Sequence, residues 1–429
     1  MEGPIRIIRS ENIEGLHTVG PLYEWSEGKA CLYIDAIEFK GKKGGILCYH
    51  NPPAHQVGTP GLDAYLKAME IISKSRGTIT FLILYSANDP VHAGGDLKES
   101  LTNLEKTITL KKELESKGAL PEEIDQLYAW GDRRLEKGFA VYRGIRRLAQ
   151  DMRVVAICGG GTRYGGSAEI PLMADILVGD SRSGMCCSEA MIGLIPGWSG
   201  VGRAVTKAGL INARYMAETG IEVKASQLKA MGIYNLVVEV PFSFPKKETT
   251  GDPEGDNARY QEALQNHNDE TGLLLLPKAL ELAVCPERDI PRVGEAERLT
   301  LATPEALSAE VARRSNPYTY EGLWGKPLNE VRDELKALGR PLAPQSIGAL
   351  EGLFADCDPF NFNEEQFVEA GMKADARLYR DSRFRAGIVA TLEQKVADFR
   401  EERELREKEV TEAKENMLVI AEHDKRRNL

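Results

Sequence analysis

The chain has 429 residues, a formal net charge of −10 and no basic run, which argues against a nucleic-acid partner. That length buries one large core or two modest ones. No stretch approaches the roughly 18 consecutive apolar residues a membrane span needs, so no membrane association is expected. The opening MEGPIRIIRSENIEG has no apolar segment of the secretory type, so no signal peptide is expected either. Cys31, Cys48, Cys158, Cys186, Cys187, Cys285 and Cys357 form no C-x-x-C pair. Several lie in apolar runs, as expected of reduced, buried thiols in a cytoplasmic protein. Adjacent Cys186 and Cys187 read as packing near Glu189 more readily than as a redox or metal pair. His50 and His55 flank a Pro-Pro turn, not a helix face, so no metal site is expected.

Residues 1–27 read as an extension that wraps the body. From Ala30 onwards, strands alternate with helices. Cys31–Ile34 and Gly45–Tyr49 read as strands, Leu62–Ile72 as an amphipathic helix and Thr78–Tyr85 as the next strand. Residues 100–150 are long, charged and helical, with a break at Gly118–Pro121, and could shape a lid. Val154–Cys158 is a buried strand ending in glycines, and Ala168–Ala174 a short buried helix. Short helices follow over Ala204–Gly209, Asn212–Gly220 and Ala225–Met231, before a strand over Gly232–Glu239. This βα alternation predicts an α/β class with parallel pairing, the body covering residues 28–240.

Residues 241–270 are polar and rich in charge, proline and glycine, so they read as a surface loop or linker. Residues 271–429 read as an extended C-terminal helical region: Leu273–Val284, Pro304–Arg314, Pro327–Leu338, Ile347–Ala355, Glu364–Arg380 and a long last helix. In that last helix Leu392, Val396 and Phe399 form one stripe, and Val410, Ala413, Met417 and Ile420 another. The charged run Glu401–Glu409 lies between them. A solvated helix and a subunit contact both fit that pattern.

The densest stretch chemically runs from Gly159 to Arg203. A strand, a glycine turn and a helix start collect unpaired backbone N–H groups at one point, which attracts negative charge. Gly160-xxxx-Gly165 imitates a phosphate loop, but Gly166 occupies the lysine position. No G-x-G-x-x-G register fits a dinucleotide site. Gly165-Gly166-Ser167-Ala168-Glu169 lacks the last glycine of a nucleophile elbow. Two glutamates remain, Glu169 and Glu189, 20 residues apart. Taken alone, they fit a plain structural turn with two surface carboxylates equally well.

A second stretch, Val91-His92-Ala93-Gly94-Gly95-Asp96-Leu97-Lys98-Glu99, follows the Leu82–Tyr85 strand. The combination of A-G-x-D-L-K-E, G-G-x-x-E at Gly165–Glu169, Glu189, I-G-x-I-P-G at Ile192–Gly197 and Arg203 resembles the crotonase (enoyl-CoA hydratase/isomerase) superfamily. The resemblance runs from about Ala30 to Val240. It implies a crotonase-like spiral of repeated ββα turns followed by the helical region, assembled as a homotrimer or a hexamer. It also implies an acyl-CoA thioester as substrate, coenzyme A being part of that substrate and not a separate cofactor.

By position, the resemblance implies that the N–H groups of Gly95 and Gly166 form an oxyanion hole for the thioester carbonyl. Such preorganised donors are worth ~3 kcal/mol each, and a bare glycine backbone lets substrate approach closely. Glu169 would activate a water for addition to Cβ, and Glu189 would exchange the proton at Cα. Two close carboxylates repel, so one should stay partly protonated near neutrality. Ala93, His92, Lys98 and Trp198 are further substrate-binding candidates, although Lys98 reads equally well as an exposed helix lysine. The reaction implied is hydration of an α,β-unsaturated acyl-CoA. Alternatives are carbon–carbon hydrolysis that opens a β-oxoacyl-CoA ring, double-bond isomerisation, or a non-catalytic subunit that binds CoA esters. Trp198 stands where the family commonly has a small residue, and the chain is long for a simple hydratase. A bulky or cyclic acyl group is therefore expected. Pro171 is expected near the first turn of its helix.

Overall fold

The computed structural model describes residues 13–75, 77–358 and 361–400. Strands β1 (Leu16–Glu27), β2 (Ala30–Phe39) and β3 (Lys42–His50) form an antiparallel meander. Its second turn, Lys40-Gly41, has positive φ at both residues (49° and 73°), the geometry whose twist matches a hairpin. β1 corrects the expectation of a wrapping extension: residues 16–27 are the edge strand of the large sheet. Most of β1 is exposed, and an edge strand with so little buried face gives no apolar alternation to read.

After helix α1 (Thr59–Lys74), one move repeats. A strand enters the large sheet, a short strand enters a second sheet, and helix returns the chain. The first turn is β4 (Phe81–Ser86), β5 (Val91–His92) and the helices α2 (Leu97–Ser116), α3 (Pro121–Asp125) and α4 (Ala129–Leu148). The second is β6 (Arg153–Cys158), β7 (Thr162–Tyr164) and α5 (Gly166–Leu172). The third is β8 (Ile176–Asp180), β9 (Gly184–Cys186), α6 (Gly200–Ala208) and α7 (Leu210–Thr219). β10 (Val223–Lys224), α8 (Ala225–Ala230) and β11 (Leu236–Val238) close the body. The large sheet has the order β1-β2-β3-β4-β6-β8-β11 and is parallel from β3 onwards; the small sheet has the order β10-β9-β7-β5. This is a spiral of ββα turns.

The large sheet is covered on both faces, which explains its nearly unbroken apolar strands. Leu82, Leu84, Val154 and Ala156 face one core with α1 and α4. Ile83, Tyr85, Val155 and Ile157 face another, closed by Leu275, Leu276, Ala279 and Leu280. Those four belong to α9 (Pro253–Val284), which corrects the expected linker: helix begins at residue 253, not beyond 270. Asp252 caps it by accepting the Gly255 N–H at 3.1 Å. Its first half is largely exposed, so the composition there resembles a linker.

The helices that follow are α10 (Pro304–Ser315), α11 (Arg332–Leu338), α12 (Pro344–Ala355), α13 (Glu364–Leu378) and α14 (Ser382–Leu392). α11 starts five residues later than the expected Pro327. The expected last helix does not run through Val396 and Phe399: α14 stops at Leu392, and Gln394 takes φ 54°. Val396 and Phe399 are nevertheless buried, in an extended segment where the Val396 N–H donates to the Lys326 carbonyl at 2.9 Å. The run Glu401–Glu409 and the stripe of Val410, Ala413, Met417 and Ile420 lie outside the described residues. α13 packs back onto α4 and α6. Buried Arg203 anchors that contact, donating to Glu364 at 2.6 Å and to the carbonyls of Leu172 and Ala174 at 2.9 and 3.1 Å. Among the described residues, no helix is long and apolar enough to cross a membrane.

Candidate active site

The A-G-x-D-L-K-E stretch is held by three separate devices. The Ala93 N–H donates to the Ala54 carbonyl at 2.7 Å, and the Val57 N–H to the Gly94 carbonyl at 3.0 Å. Asp96 caps α2, accepting the N–H groups of Lys98 and Glu99 at 3.0 and 3.1 Å. Glu99 accepts the Thr59 N–H at 3.0 Å and pairs with buried Arg134 of α4 at 2.7 Å. Gly95 pairs with Val57 as an isolated parallel bridge, in which Val57 bonds to residues 94 and 96. The N–H of Gly95 itself therefore points away from that bridge. A Cβ on Gly95 would stand 2.6 Å from an Arg134 nitrogen, so a side chain there would displace the guanidinium that pairs with Glu99.

The second glycine turn lies against the first. A Cβ on Gly94 would be 2.8 Å from the Tyr164 carbonyl and 3.1 Å from the Gly166 nitrogen. The Ser167 hydroxyl donates to the Ala93 carbonyl, joining the two turns. Gly165 takes φ 48° as the residue before α5, a left-handed value that favours glycine. Gly166 is the first residue of the helix, so its N–H has no acceptor within the helix. Both glycine segments line one cavity of about 340 Å³, together with Glu169 and Glu189.

Glu169 projects from α5 and is 2% exposed. One of its oxygens accepts three backbone N–H groups, from Trp198, Ser199 and Gly200, at 3.0, 3.0 and 2.8 Å. Burial pushes its carboxyl up to about 7, against those three donors, which favour the charged form. Glu189 sits in a 3-10 turn (Glu189–Met191) and is 8% exposed. Its Oε1 lies where a Cβ on Gly165 would be 2.9 Å away. Its Oε2 is buried without a hydrogen-bond partner among the described residues. Burial first, then the charge of Glu169, holds the Glu189 carboxyl well above its ordinary range.

The structure thus brings Glu169, Glu189, Gly95, Gly166, Ala93 and Trp198 to one cavity. Trp198 is buried against glycines: a Cβ on Gly138 of α4 or on Gly166 would overlap its ring. The Arg134 guanidinium lies 5.7 Å from the ring centroid. Trp198 therefore forms a wall by filling space that side chains at residues 138 and 166 would otherwise take. α2 and α4, the expected lid region, supply Leu97, Ser100, Arg134 and Leu135 to the same wall.

Lys98 and His92 do not line this cavity. Lys98 is exposed in the first turn of α2, as a surface lysine near coenzyme A phosphates would be. His92 is buried on the other side of the turn, its ring 4.8 Å from that of His55, which in turn lies 5.0 Å from His50. His55 bonds Asp89 at 2.5 Å, and burial lowers His50 to about 4 and holds His92 well below its ordinary value. His55 and His92 border a separate small cavity with Ser167 and Pro171. Among the described residues, no group of three or more side chains is placed to hold a metal ion. Pro171 is the penultimate residue of α5, not a first-turn residue. The missing N–H is tolerated there because the helix ends at once, with Met173 and Ala174 bonding back over three residues.

Asp375 was missed by the sequence reading, and so was Arg340. Asp375 of α13 is 2% exposed, lines the cavity and accepts the Ile195 N–H at 2.9 Å. Burial, then Glu169, holds its carboxyl well above the ordinary range, while that N–H bond opposes the shift. A signal was available: Phe367, Gly371 and Asp375 recur every fourth residue, placing an acid on the buried face of α13. Arg340 reaches the cavity from the loop after α11.

The cavity, its paired carboxyls and its converging glycine N–H groups sit on a spiral for which known proteins offer counterparts. The model of the enoyl-CoA hydratase/isomerase family matches residues 133–241. A short-chain-enoyl-CoA hydratase of Clostridioides difficile is 29% identical over 74 residues, 17% of this chain and 48% of that protein. The chain thus spans about half the length of that curated relative. The crystal structure of an enoyl-CoA hydratase from Rhodobacter sphaeroides 2.4.1 superposes with a TM-score of 0.50 at 17% identity. That alignment covers 81% of this chain and 86% of that one. An enoyl-CoA hydratase from Bacillus halodurans aligns over 85% of this chain and 100% of its own at TM-score 0.41 and 10% identity. The structural likeness concerns the fold. Residues 133–241 are thus similar in sequence to the enoyl-CoA hydratase/isomerase family.

Proposed function

We propose that the protein adds water to an α,β-unsaturated acyl-CoA thioester. The observation that carries this reading is the pairing of two buried glutamates with two free-pointing glycine N–H groups on one small cavity. In this reaction the thioester carbonyl lies between the N–H groups of Gly95 and Gly166. They stabilise the enolate oxygen as it forms, because donors fixed in a water-poor site need no reorganisation.

The two acids differ in the direction the chemistry requires. Glu169, near 7 and steadied by three N–H donors, exists partly as carboxylate at neutral pH. It removes a proton from water as the oxygen bonds to Cβ. Glu189 remains protonated and delivers its proton to Cα as the enolate collapses. The net change is one H₂O across the double bond, and proton exchange between the carboxyls or with solvent restores the starting state. Coenzyme A serves as the handle of the substrate, and no separate cofactor takes part. We place the working unit in a homotrimer or a hexamer in the cytoplasm, after the family resemblance.

The opening of a β-oxoacyl-CoA ring by water uses the same groups and is the second reading. It is supported by a cavity wall that includes Trp198, Asp375 and Arg340, a more polar wall than a straight alkyl chain needs. The test is mass spectrometry of CoA thioesters incubated in ¹⁸O-water, beside Glu169→Gln and Glu189→Gln. Gain of one labelled water on an enoyl-CoA, lost in both variants, is expected. A ring-opened product from a cyclic β-oxo thioester moves the assignment to the hydrolase. In a parallel incubation in D₂O, deuterium entering at Cα without addition of water indicates an isomerase. Binding without turnover or exchange leaves a non-catalytic subunit that holds CoA esters.

A further inference from the structure

The cavity contains a cationic side chain that the proposed hydration does not use. Of its two arginines, Arg134 is spoken for: it pairs with Glu99 at 2.7 Å and donates to the Val57 carbonyl at 3.0 Å. Arg340 has no acidic partner among the described residues. The groups whose charge would favour its protonated form are the Cys186 thiol and the Tyr164 phenol, both neutral near pH 7. Nor does Arg340 figure among the groups that set the charge of Glu169, Glu189 or Asp375.

The loop that carries Arg340 is rigidly placed. Its carbonyl accepts from Arg314 Nε at 2.8 Å, the Leu342 N–H donates to the Arg314 carbonyl at 3.0 Å, and the Ala343 N–H donates to the Ala190 carbonyl at 2.8 Å. Ala190 follows Glu189 directly. Arg314 is itself consumed in this scaffold, with a further bond to the Thr219 carbonyl at 2.7 Å. One arginine therefore builds the shelf, and a second, Arg340, lines the cavity beside it. A guanidinium kept partly out of water without a counter-ion is costly, and a ligand anion removes that cost with geometry suited to a carboxylate.

Position decides which part of the ligand this anion belongs to. Tyr164 immediately precedes Gly165, and Cys186 accepts the Gly165 N–H on its carbonyl at 3.0 Å. Arg340 is thus fixed against the residues that frame the reacting centre. At about 340 Å³ the cavity is at the small end for ligand sites. It accommodates an acyl group beside the thioester, whereas the coenzyme's phosphates lie beyond the whole pantetheine arm.

We propose that Arg340 is the receptor for a carboxylate on the acyl part of the thioester, so that the preferred ligands are ω-carboxyacyl-CoA esters. This rests on the acyl-CoA reading given above. A ring-opening reaction would generate such a carboxylate, and a hydration would find it already present in the substrate.

The test uses unreactive saturated thioesters, so that binding is read apart from catalysis. Calorimetry compares glutaryl-CoA with butyryl-CoA, and pimelyl-CoA with hexanoyl-CoA, on the full chain, on Arg340→Gln and on Arg340→Lys. In at least one pair the carboxylated ester should bind about 10- to 100-fold more tightly, as a charge-assisted pair implies. Arg340→Gln should erase that preference while leaving the neutral ester within about twofold, and Arg340→Lys should retain part of it. Equal binding of both members of each pair overturns the proposal. So does a uniform loss for all four esters in Arg340→Gln, which would put the arginine on the shared handle. If no thioester binds the unmodified protein, the acyl-CoA reading itself fails.

Discussion

Gly200 donates its N–H to Glu169 Oε1 at 2.8 Å, and a Cβ on Gly200 would stand 2.8 Å from Glu169 Cγ. The carboxylate is therefore fixed by the start of α6, through bonds available only while residue 200 has no side chain. Gly200→Ala should push Glu169 off its three donors and cut kcat by about 10- to 100-fold, the scale of misplacing a catalytic group by an ångström. Glu169→Gln, which keeps the shape, should cost about 10²- to 10⁴-fold. Steady-state kinetics on an enoyl-CoA checks both, and unchanged kcat in Gly200→Ala would refute the coupling.

The acids predict the pH profile. Glu169 acts as base with a value of about 7, so kcat/KM should rise through that pH. It should fall again at higher pH as Glu189, held well above its ordinary range, loses its proton. A flat profile between pH 5 and 8 would contradict the assignment.

Stability should follow the same groups with the opposite sense. Both carboxyls bind protons more tightly folded than unfolded, so the contribution of their protonated forms is fully present below the ordinary carboxylate range. It is lost as pH rises through about 7 for Glu169. Glu189→Gln, which cannot ionise, should therefore lower Tm less than the unmodified protein on going from pH 6 to pH 8.5. Thermal melts at the two pH values decide this.

Trp198 fills the space left by Gly138 and Gly166. Gly138→Ala should destabilise by about 1–3 kcal/mol through overpacking, and Gly138→Ala with Trp198→Leu should recover part of that loss. Chemical denaturation of the two variants and of Trp198→Leu alone measures the coupling.

Burial holds the Asp375 carboxyl well above its ordinary range while it accepts the Ile195 N–H. Asp375→Asn preserves an acceptor and should leave kcat near neutrality within about threefold. Asp375→Leu strands that buried N–H and should cost about 1–3 kcal/mol. Denaturation midpoints beside kcat separate the two effects.

Much of the site was legible in the sequence because its parts are local. Glycines before helix starts, a capping aspartate and two acids within one stretch depend on backbone geometry over a few residues. The spiral was legible for a similar reason, since strands buried on both faces, such as β4 and β6, are apolar throughout. The edge strand β1 and the polar first half of α9 were not, because their pairing and packing leave little apolar pattern in the residues themselves.

What tertiary structure alone decided is which distant side chains share the cavity. Asp375 and Arg340 come from the region after α9, and Arg134 from α4, each placed by packing between elements far apart in the chain. Sequence assigned Lys98 and His92 to the substrate because they neighbour Gly95. The fold turns one to solvent and the other into a histidine cluster, since alternate positions along a strand and successive positions on a helix point in different directions. The sequence by itself determined the backbone devices of the site. The charge balance of its walls, two acids joined by a third and an arginine without an acidic partner among the described residues, depends on long-range burial that no short stretch encodes.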